Sequence, residues 1–229
     1  MIKAIFIDWG YTFVKGFKKR RDEKLNKILK PLRMNWKELI PYWRNFYILR
    51  SAGRIKNDKE LETIIQRVTK KEIPVKKIIE ITIESQIIPK EHINIVRNLK
   101  KRYNVGILSN NVQEWVEQVL KNYKIENLFD ALIVSSKVGA RKPDALIYYE
   151  ALKKFSVRPE ETVFVADEVA EDLVVATGLG IKTIWFKNEE GGWWKENDRK
   201  ILKIYEPDAT IENLKELIPT IKKLEKYEN

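Results

Sequence analysis

The sequence predicts an open α/β fold that carries an inserted helical segment, and three observations lead to this prediction. Short apolar runs rich in β-branched residues alternate with helical patterns along residues 1–13 and 93–229. These runs are apolar at nearly every position, which is typical of parallel strands covered on both faces. Residues 14–92 show helical periodicity and no strand pattern. We therefore predict a parallel sheet with helices on both faces and a separate all-helical unit.

Five segments are predicted as strands because they are short, apolar and bounded by polar turns. In chain order they are Ala4–Ile7, Val105–Leu108, Ala131–Val134, Val163–Ala166 and Lys182–Phe186. Helical patterns separate them, and the clearest are Val112–Leu120, Leu146–Phe155 and a helix that ends at Gly178–Gly180.

The segment between the first two strands is predicted to hold four helices. Pro31, Gly53 and Pro74 separate its periodic stretches. The predicted helices are Lys18–Lys30, Trp36–Ser51, Asp58–Lys71 and Val75–Ile87. We therefore predict two domains, an α/β core of residues 1–13 and 93–229 and a helical domain of residues 14–92 carried on two linkers.

The composition excludes several classes of protein. The chain of 229 residues has no cysteine, which rules out disulfides, thiolate metal sites and thiol catalysis. No apolar stretch approaches the roughly 20 residues of a membrane helix, and the N-terminal residues do not have a signal peptide pattern. We expect a cytoplasmic protein.

The positive charge is concentrated in the helical segment. The net charge is +11, and residues 14–92 hold 21 basic and 10 acidic side chains, whereas the rest of the chain is balanced. A basic face attracts phosphorylated metabolites, nucleic acid or membrane surfaces. Solvated helix faces in a Lys-, Ile- and Glu-rich chain of the thermophile type are the alternative explanation.

Polar side chains stand where the predicted strands end. Asp8 follows the first strand, Ser109 follows the second, and Asp167 follows the fourth, with Asp172 five residues later. Ligands of open α/β sheets bind outside the carboxyl ends of the strands. Helix capping would explain each of these residues singly, but together they predict a polar site on one edge of the sheet.

The order of these residues resembles that of the haloacid dehalogenase-like hydrolase superfamily. Its first motif is a strand followed by Asp-x-Asp-x-Thr, and Asp8, Gly10 and Thr12 stand at these positions. Its second motif is a Ser or Thr after a strand, which Ser109 matches. The helical segment stands where this superfamily carries its cap domain. The resemblance therefore implies a Rossmann-like parallel sheet core with an inserted all-α helical cap domain.

The other two motifs lie further along the chain. The third motif is a lysine in a stretch such as Gly-x-Arg-Lys-Pro-Asp, which "GARKPD" matches with Lys142 as the lysine. The fourth is an acidic pair such as Gly-Asp-x-x-x-x-Asp, matched by Asp167 and Asp172 with Ala166 in place of the glycine. The order and spacing of all four motifs make the resemblance specific.

The resemblance implies a Mg²⁺-dependent hydrolase of the phosphatase type with an aspartyl-phosphate intermediate. It implies that Asp8 is the nucleophile and that Mg²⁺ is held by Asp8, the main-chain carbonyl of Gly10 and Asp167, with Asp172 as a further or indirect ligand. The implied catalytic residues also include Lys142, Ser109 and Thr12. Asn110 and Arg141 are predicted to contact an anionic, phosphorylated small-molecule substrate.

Gly10 departs from the family pattern. In phosphatases of this superfamily the second Asp of the first motif protonates the leaving alcohol and later activates water, help that is typically worth 10² to 10⁴ in rate. Glycine has no such group, although its main-chain carbonyl can still bind a metal.

Three interpretations of this departure remain open. In the first, the protein is a hydrolase of substrates with good leaving groups, such as acyl or aryl phosphates, or one that takes an acid from the cap. In the second, the protein resembles phosphonoacetaldehyde hydrolase, and Lys56 or a neighbouring cap lysine forms an imine. In the third, it is a catalytically impaired protein that binds a phosphorylated ligand.

Two further classes are less favoured by the sequence. A haloacid dehalogenase needs no metal, so the acidic pair at Asp167 and Asp172 would add repulsion beside Asp8. Nucleic-acid binding would use the aromatic and arginine side chains of residues 36–54, but these aromatics have helical spacing and are predicted to pack inside the helical domain.

Two smaller features complete the sequence predictions. His92, the single histidine, is predicted to have a structural role rather than a catalytic one. The stretch "EEGGWW" at residues 189–194 is predicted to pack its two tryptophans against the loop after the fifth strand.

Overall fold

A computed structural model of the chain describes residues 1–15, 18–188, 198 and 200–226. In this part of the chain the strands are β1 (Ala4–Ile7), β2 (Asn104–Ser109), β3 (Ala131–Val134), β4 (Thr162–Ala166), β5 (Lys182–Phe186) and β6 (Ala209–Ile211). They form one parallel sheet in the order β3-β2-β1-β4-β5-β6. The stretch at residues 189–194 lies outside the described residues.

The helices of the described residues fall into two groups. Between β1 and β2 lie α1 (Lys18–Leu29), α2 (Trp36–Ser51), α3 (Asp58–Thr69), α4 (Val75–Glu84) and α5 (Lys90–Leu99). After β2 come α6 (Gln113–Asn122), α7 (Ser135–Val138), α8 (Ala145–Phe155), α9 (Val174–Gly178) and α10 (Leu217–Lys226). A π-helical segment, Val169–Leu173, precedes α9.

The α/β fold predicted from the sequence is confirmed. Three of the five predicted strands have the predicted bounds, and β2 and β4 are longer by one or two residues. The sequence patterns do not predict β6 or α10. The three residues of β6 are too few to show a strand pattern, and this strand forms by pairing with the edge of β5.

Both faces of the sheet are buried, as the apolar strands predicted. Side chains of a strand point alternately to opposite faces. Ile5 and Ile7 pack in one hydrophobic cluster with α5, α6 and α10, and Ala4 and Phe6 pack in a second cluster with α8. The sheet is therefore held rigidly between two layers of helices.

The order of the strands places β1 at the point where the connections reverse direction. Ile7 pairs with Ile107 of β2 on one side and with Val165 of β4 on the other. The main-chain amide of Asp8 continues this pairing, since it donates to the Val165 carbonyl at 2.9 Å. The residues that follow β1, β2 and β4 therefore meet at one edge of the sheet, where ligands of open α/β sheets bind.

Helices α1 to α4 form the helical insert, residues 18–84. They pack on one another, and the insert also contacts α6 and α7 beside the sheet. The aromatic residues of α2 behave in two ways, because Trp36 and Trp43 are buried whereas Tyr42 is 51% exposed. The division into domains at residues 14 and 92 stays a prediction. Within the described residues, no helix combines the length and apolar character needed to span a membrane.

Candidate active site at the carboxyl edge of the sheet

Asp8 stands at the end of β1, where the chain turns sharply. The main-chain amides of Phe13 and Val14 donate to the carbonyl of Trp9, at 3.1 and 2.9 Å, and close the turn. Tyr11 adopts a left-handed conformation with φ of 55°. The side chain of Asp8 is largely buried but lines a cavity. The turn therefore presents one carboxylate to an enclosed space.

Lys142 links the carboxylate of Asp8 to that of Asp172. Its Nζ lies 2.7 Å from Asp8 Oδ1 and 2.8 Å from Asp172 Oδ1. The lysine is 3% exposed. Burial by itself lowers the pKa of Lys142, but the charges of Asp172 and Asp8 outweigh burial and raise this pKa above its usual value. Lys142 is therefore a fixed positive charge beside Asp8.

Asn110 holds the loop that carries Lys142. Its Nδ2 donates to the Lys142 carbonyl at 2.9 Å and to Glu171 Oε1 at 3.0 Å, and its Oδ1 accepts from the Lys142 amide at 2.7 Å. Both amide hydrogens are thus engaged within the protein. The sequence predicted that Asn110 contacts substrate, but the hydrogen bonds instead favour a role in positioning Lys142.

Asp167 follows β4 and lines the same cavity as Asp8. Thr12 Oγ1 donates to Asp167 Oδ1 at 3.0 Å, and Trp185 Nε1 donates to the Asp167 carbonyl at 3.1 Å. Burial, followed by the nearby charge of Asp8, raises the pKa of Asp167 to about 7. Thr12 is fully buried and is not part of the cavity lining. Its contact therefore points to orienting Asp167 rather than to meeting substrate.

Asp172 belongs to the π-helical segment and is buried against Lys142. Burial raises the pKa of Asp172, and this effect exceeds the opposing influence of the Lys142 charge. The described residues contain no group of three or more acidic or histidine side chains spaced to hold a metal ion. Asp172 is therefore better explained as the partner of Lys142 than as the metal ligand suggested by the sequence.

A divalent cation fits the remaining donors. The carboxylates of Asp8 and Asp167 and the main-chain carbonyl of Gly10 are hard oxygen ligands of the kind that Mg²⁺ binds, with water completing the coordination. After burial, the charge of Asp8 is the next cause of the raised pKa of Asp167, so the two carboxylates disfavour each other's ionised form. A cation beside them would offset this repulsion.

Ser109 and Arg141 complete the residues predicted from the sequence. Ser109 ends β2 and lines the cavity. Arg141 lies at the cavity with its guanidinium hydrogen-bonded to Ser51 Oγ of the helical insert and 3.8 Å from Glu171. The structure thus brings Asp8, Ser109, Lys142 and Asp167 to one edge of the sheet, and we call these four residues the charged rim.

The cavity extends from the charged rim to the helical insert and has a volume of about 490 Å³. Its lining includes five residues of the insert, namely Arg21, Trp36, Trp43, Arg44 and Tyr47. Of these five, only Arg21 lies on α1. The insert therefore supplies one side of the cavity and the sheet edge supplies the other.

Three cavity residues were not predicted from the sequence. Tyr47 donates from its hydroxyl to the Asn110 carbonyl at 2.9 Å, and burial raises its pKa to about 12. Trp115 of α6 lines the cavity beside it. Burial, followed by a hydrogen bond with Glu171, raises the pKa of Glu168 well above its ordinary value. The helical spacing of Tyr47 and Trp115 predicts that both are core residues. Only the fold shows that both also face the cavity.

His92 lies at the start of α5 and away from this site. It is 1% exposed, and its Nδ1 is 2.8 Å from the Phe13 carbonyl. Burial lowers the pKa of His92, which favours the neutral ring. These contacts support the structural role predicted for this residue.

A family model described as haloacid dehalogenase-like hydrolase matches residues 45–186, more than half of the chain. The protein belongs to the haloacid dehalogenase-like hydrolase family. The family resemblance derived from the four motifs is thus confirmed.

Curated relatives match part of the chain. The glyceraldehyde 3-phosphate phosphatase of Pyrococcus furiosus is 33% identical over 102 residues, which are 44% of this chain and 42% of the relative. Pyrophosphatase PpaX of Bacillus mycoides is 29% identical over 130 residues, 56% of this chain and 57% of the relative. The chain therefore spans about half the length of the curated relatives that it matches.

Solved structures of this family share the fold over most of the chain. A family enzyme from Bacteroides thetaiotaomicron superposes with a TM-score of 0.71 and 23% identity, covering 86% of this chain and 98% of that one. The 2-haloacid dehalogenase of Pseudomonas syringae has a TM-score of 0.69 and 19% identity, covering 97% and 99%. Because these identities are low, the likeness shows the fold, and the reaction must be argued from the site.

Proposed function

We propose that the protein is a Mg²⁺-dependent hydrolase of a phosphorylated small molecule, with Asp8 as the nucleophile. The observation that carries the proposal is the buried Lys142, which joins Asp8 and Asp172 at the carboxyl edge of the sheet. A neutral substrate would gain little from this fixed charge, whereas a phosphoryl group requires it. The 14–92 segment would serve as the cap over the site.

The proposed metal ion would be held by Asp8, Asp167 and the Gly10 carbonyl. When bound, it supplies positive charge that offsets the repulsion between a carboxylate nucleophile and an anionic phosphoryl group. Thr12 keeps the Asp167 carboxylate oriented through its 3.0 Å hydrogen bond.

The chain's own residues account for the two chemical steps. An oxygen of Asp8 attacks phosphorus, the bond from phosphorus to the ester oxygen breaks, and the electron pair leaves with that oxygen. Water then attacks the phosphorus of the acyl phosphate, which restores the Asp8 carboxylate and releases inorganic phosphate. The hydroxyl of Ser109, the amides of the turn after Asp8 and the ammonium of Lys142 would stabilise the phosphoryl oxygens.

The names of the relatives and of the related structures support phosphoryl chemistry. Two curated relatives are named as phosphatases of a sugar phosphate and of pyrophosphate. A structure of the Bacteroides thetaiotaomicron enzyme is described as a complex with magnesium and inorganic phosphate. Both descriptions apply to those proteins and are consistent with an anionic substrate here.

The alternatives are less well supported by the described residues. A cap lysine for imine formation is not found in the cavity lining, where Lys142 is the lysine described, and Lys56 Nζ instead donates to the Gly53 carbonyl. The acidic pair of Asp167 and Asp172 does not suit a metal-free dehalogenase. Trp36 and Trp43 line a cavity of about 490 Å³, whereas successive bases of a nucleic acid strand would need aromatic rings along an open basic groove.

Measurement of phosphate release tests the proposal. The purified protein is assayed against a panel of phosphate esters and acyl phosphates with Mg²⁺ and again with excess EDTA. We expect phosphate release with Mg²⁺, no release with EDTA, and recovery of release when Mg²⁺ is added back. Equal release in EDTA, or no release from any compound by folded protein that binds Mg²⁺, would contradict the proposed function. Cytoplasmic localisation stays a further prediction, for which cell fractionation is the test.

A further inference from the structure

Aromatic rings form part of the cavity lining beside the charged rim. They belong to Trp36, Trp43 and Tyr47 of α2 and Trp115 of α6, and we call these residues the aromatic wall. The rings of Trp43 and Trp115 stack with centroids 6.5 Å apart and planes at 14°, and Tyr47 stacks on Trp115 at 5.9 Å and 27°. Such a surface favours a flat apolar group over a hydrated one.

The polar atoms of two of these rings are engaged by the protein. The Tyr47 hydroxyl donates to the Asn110 carbonyl, and Trp115 Nε1 lies 3.1 Å from Asp58 Oδ2. These hydrogen bonds fix both rings, so binding a flat group would require little ordering of side chains. Trp36, Trp43 and Trp115 are buried, whereas Tyr47 is only partly buried, so the ring of Tyr47, backed by Trp115, is the main surface that the wall offers to a ligand.

The wall adjoins the charged rim directly. Tyr47 binds the main chain of Asn110, which follows Ser109 of the rim. Tyr47, Asp8 and Lys142 line the same cavity. A ligand whose phosphoryl group lies at the rim would therefore place the group attached to its ester oxygen toward the wall.

Gly10 supplies an independent constraint on that group. With glycine at this position, the first motif has no carboxyl side chain to protonate the departing oxygen. A phenolic oxygen has a pKa of about 10, as in tyrosine, and leaves as an anion far more readily than an alkoxide, whose conjugate acid resembles water with a pKa of about 15.7. Aryl esters therefore depend least on the missing acid.

We propose that the substrate class is an aryl phosphate monoester, with its ring on the aromatic wall and its phosphoryl group at the charged rim. This inference rests on the proposed function. The cavity volume of about 490 Å³ suits a small molecule of this kind.

The reaction of such a substrate balances with water as the other reactant. The bond from Asp8 to phosphorus forms as the bond from phosphorus to the phenolic oxygen breaks, and the electron pair stays on that oxygen. Water then adds its oxygen to phosphorus and releases Asp8. The proton lost by water goes to the phenolate, so the products are a phenol and hydrogen phosphate.

Binding of two non-hydrolysable probes tests the wall without relying on turnover. The dissociation constants of phenylphosphonate and butylphosphonate are measured by calorimetry on the full chain with Mg²⁺. We expect the phenyl compound to bind about tenfold more tightly, since stacking adds to the burial of area. Equal affinities would overturn the proposal.

Variants on one helix show whether α2 carries the preference. Tyr47→Leu is expected to lose most of the preference for phenylphosphonate, whereas Tyr42→Leu should retain it, because Tyr42 lies on the same helix but is 51% exposed and outside the cavity lining. Loss in both variants, or in neither, would contradict the assignment. If Tyr47→Leu does not fold, the relative affinity of the wild type for the two phosphonates still tests the proposal.

Turnover separates this proposal from the proposed function. We expect phenyl phosphate to exceed benzyl phosphate in kcat/KM by at least about 10², because both carry a ring but only the first releases a phenol. Acetyl phosphate has a good leaving group and no ring. Its hydrolysis together with equal binding of the two phosphonates would overturn the aryl proposal and leave the hydrolase standing. Ring-selective binding without turnover of any ester would overturn the proposed function, and the substrate role with it.

Discussion

The charged rim and the aromatic wall face the same cavity but arise in different ways. The rim residues Asp8, Ser109 and Asp167 stand where strands of one parallel sheet end, and hydrogen bonds from Asn110 hold the Lys142 loop against them. The wall comes mainly from one face of α2, with Trp115 added by a distant helix. The sheet therefore holds the groups that would react, and helix packing shapes the space for the rest of a ligand.

This difference separates reaction from selection within one cavity. Residues fixed by the register of β1, β2 and β4 have little freedom to change position without loss of the sheet. Residues on α2 change the shape of the cavity while the sheet remains intact. Changes in the rim should therefore abolish the proposed reaction, and changes on the insert side should alter which compounds bind.

The largest expected effect is at the nucleophile. Asp8→Asn keeps the shape of the side chain and removes its ability to form an acyl phosphate, so phosphate release should fall by at least about 10³-fold. Assay of phosphate release with Mg²⁺, beside a thermal unfolding curve that verifies the fold, measures this effect. Activity near the wild-type level in the folded variant would exclude Asp8 as nucleophile and remove the rim from the proposed reaction.

Replacement of Lys142 tests the rim as a unit of charge. Lys142→Met leaves Asp8 and Asp172 buried without their shared cation, which should lower the free energy of unfolding by about 3 kcal/mol. Lys153→Met is the matched control, because Lys153 is 79% exposed and should change stability by less than about 0.5 kcal/mol. Urea unfolding measures both variants. Equal stability of the two would show that Lys142 does not compensate the buried carboxylates.

Gly10→Asp sharpens the comparison by adding an acid to the rim. A Cβ at Gly10 would meet no atom within 4 Å, and the residue is not in the left-handed region, so the backbone accepts a side chain there. We expect kcat/KM for benzyl phosphate to rise by about tenfold, part of the typical worth of a positioned acid, with a smaller gain for phenyl phosphate.

Gly10→Ala controls for the added side chain in that experiment. It adds the Cβ without a carboxyl group and should leave both rates unchanged. An equal rise in kcat/KM in Gly10→Ala and Gly10→Asp would show that a stiffer backbone, rather than the added carboxyl group, causes the effect. No gain from Asp would show that another group already donates the proton.

The smallest expected effect lies at the opposite edge of the sheet. Glu161 binds Lys3 at 2.7 Å, and hydrogen bonds from Lys3 and then from Arg158 lower its pKa from 4.5 to about 2. Because the folded pKa lies below the unfolded one, the stabilisation is present above about pH 4.5 and is lost as pH falls toward 2.

Melting temperatures across this pH range test that prediction. Glu161→Gln should be less stable than the wild type above pH 4.5, and the difference should disappear near pH 2. The matched control is Glu160→Gln, whose 57% exposed side chain is paired only with Arg158 among the ion pairs of the described residues. A difference between wild type and Glu161→Gln that does not depend on pH would contradict the role of this carboxylate.

The sequence predicted the rim better than it predicted the wall. Each rim residue directly follows an apolar run or belongs to a recognisable motif, so local pattern was enough to find Asp8, Ser109, Lys142 and Asp167. The partners of these residues were harder to foresee. That Asn110 and Thr12 would bind other side chains, and that Asp172 would pair with Lys142, depends on distances between segments far apart in the chain.

By itself the sequence determined the parallel sheet, the inserted helices and the identity of the residues at the strand ends, because strand and helix patterns are local and the carboxyl ends of parallel strands share one edge. Tertiary structure alone decided which aromatic residues face the cavity and which second carboxylate, besides Asp8, binds Lys142. Helical periodicity marks a side chain as buried, but what it is buried against depends on how distant helices pack.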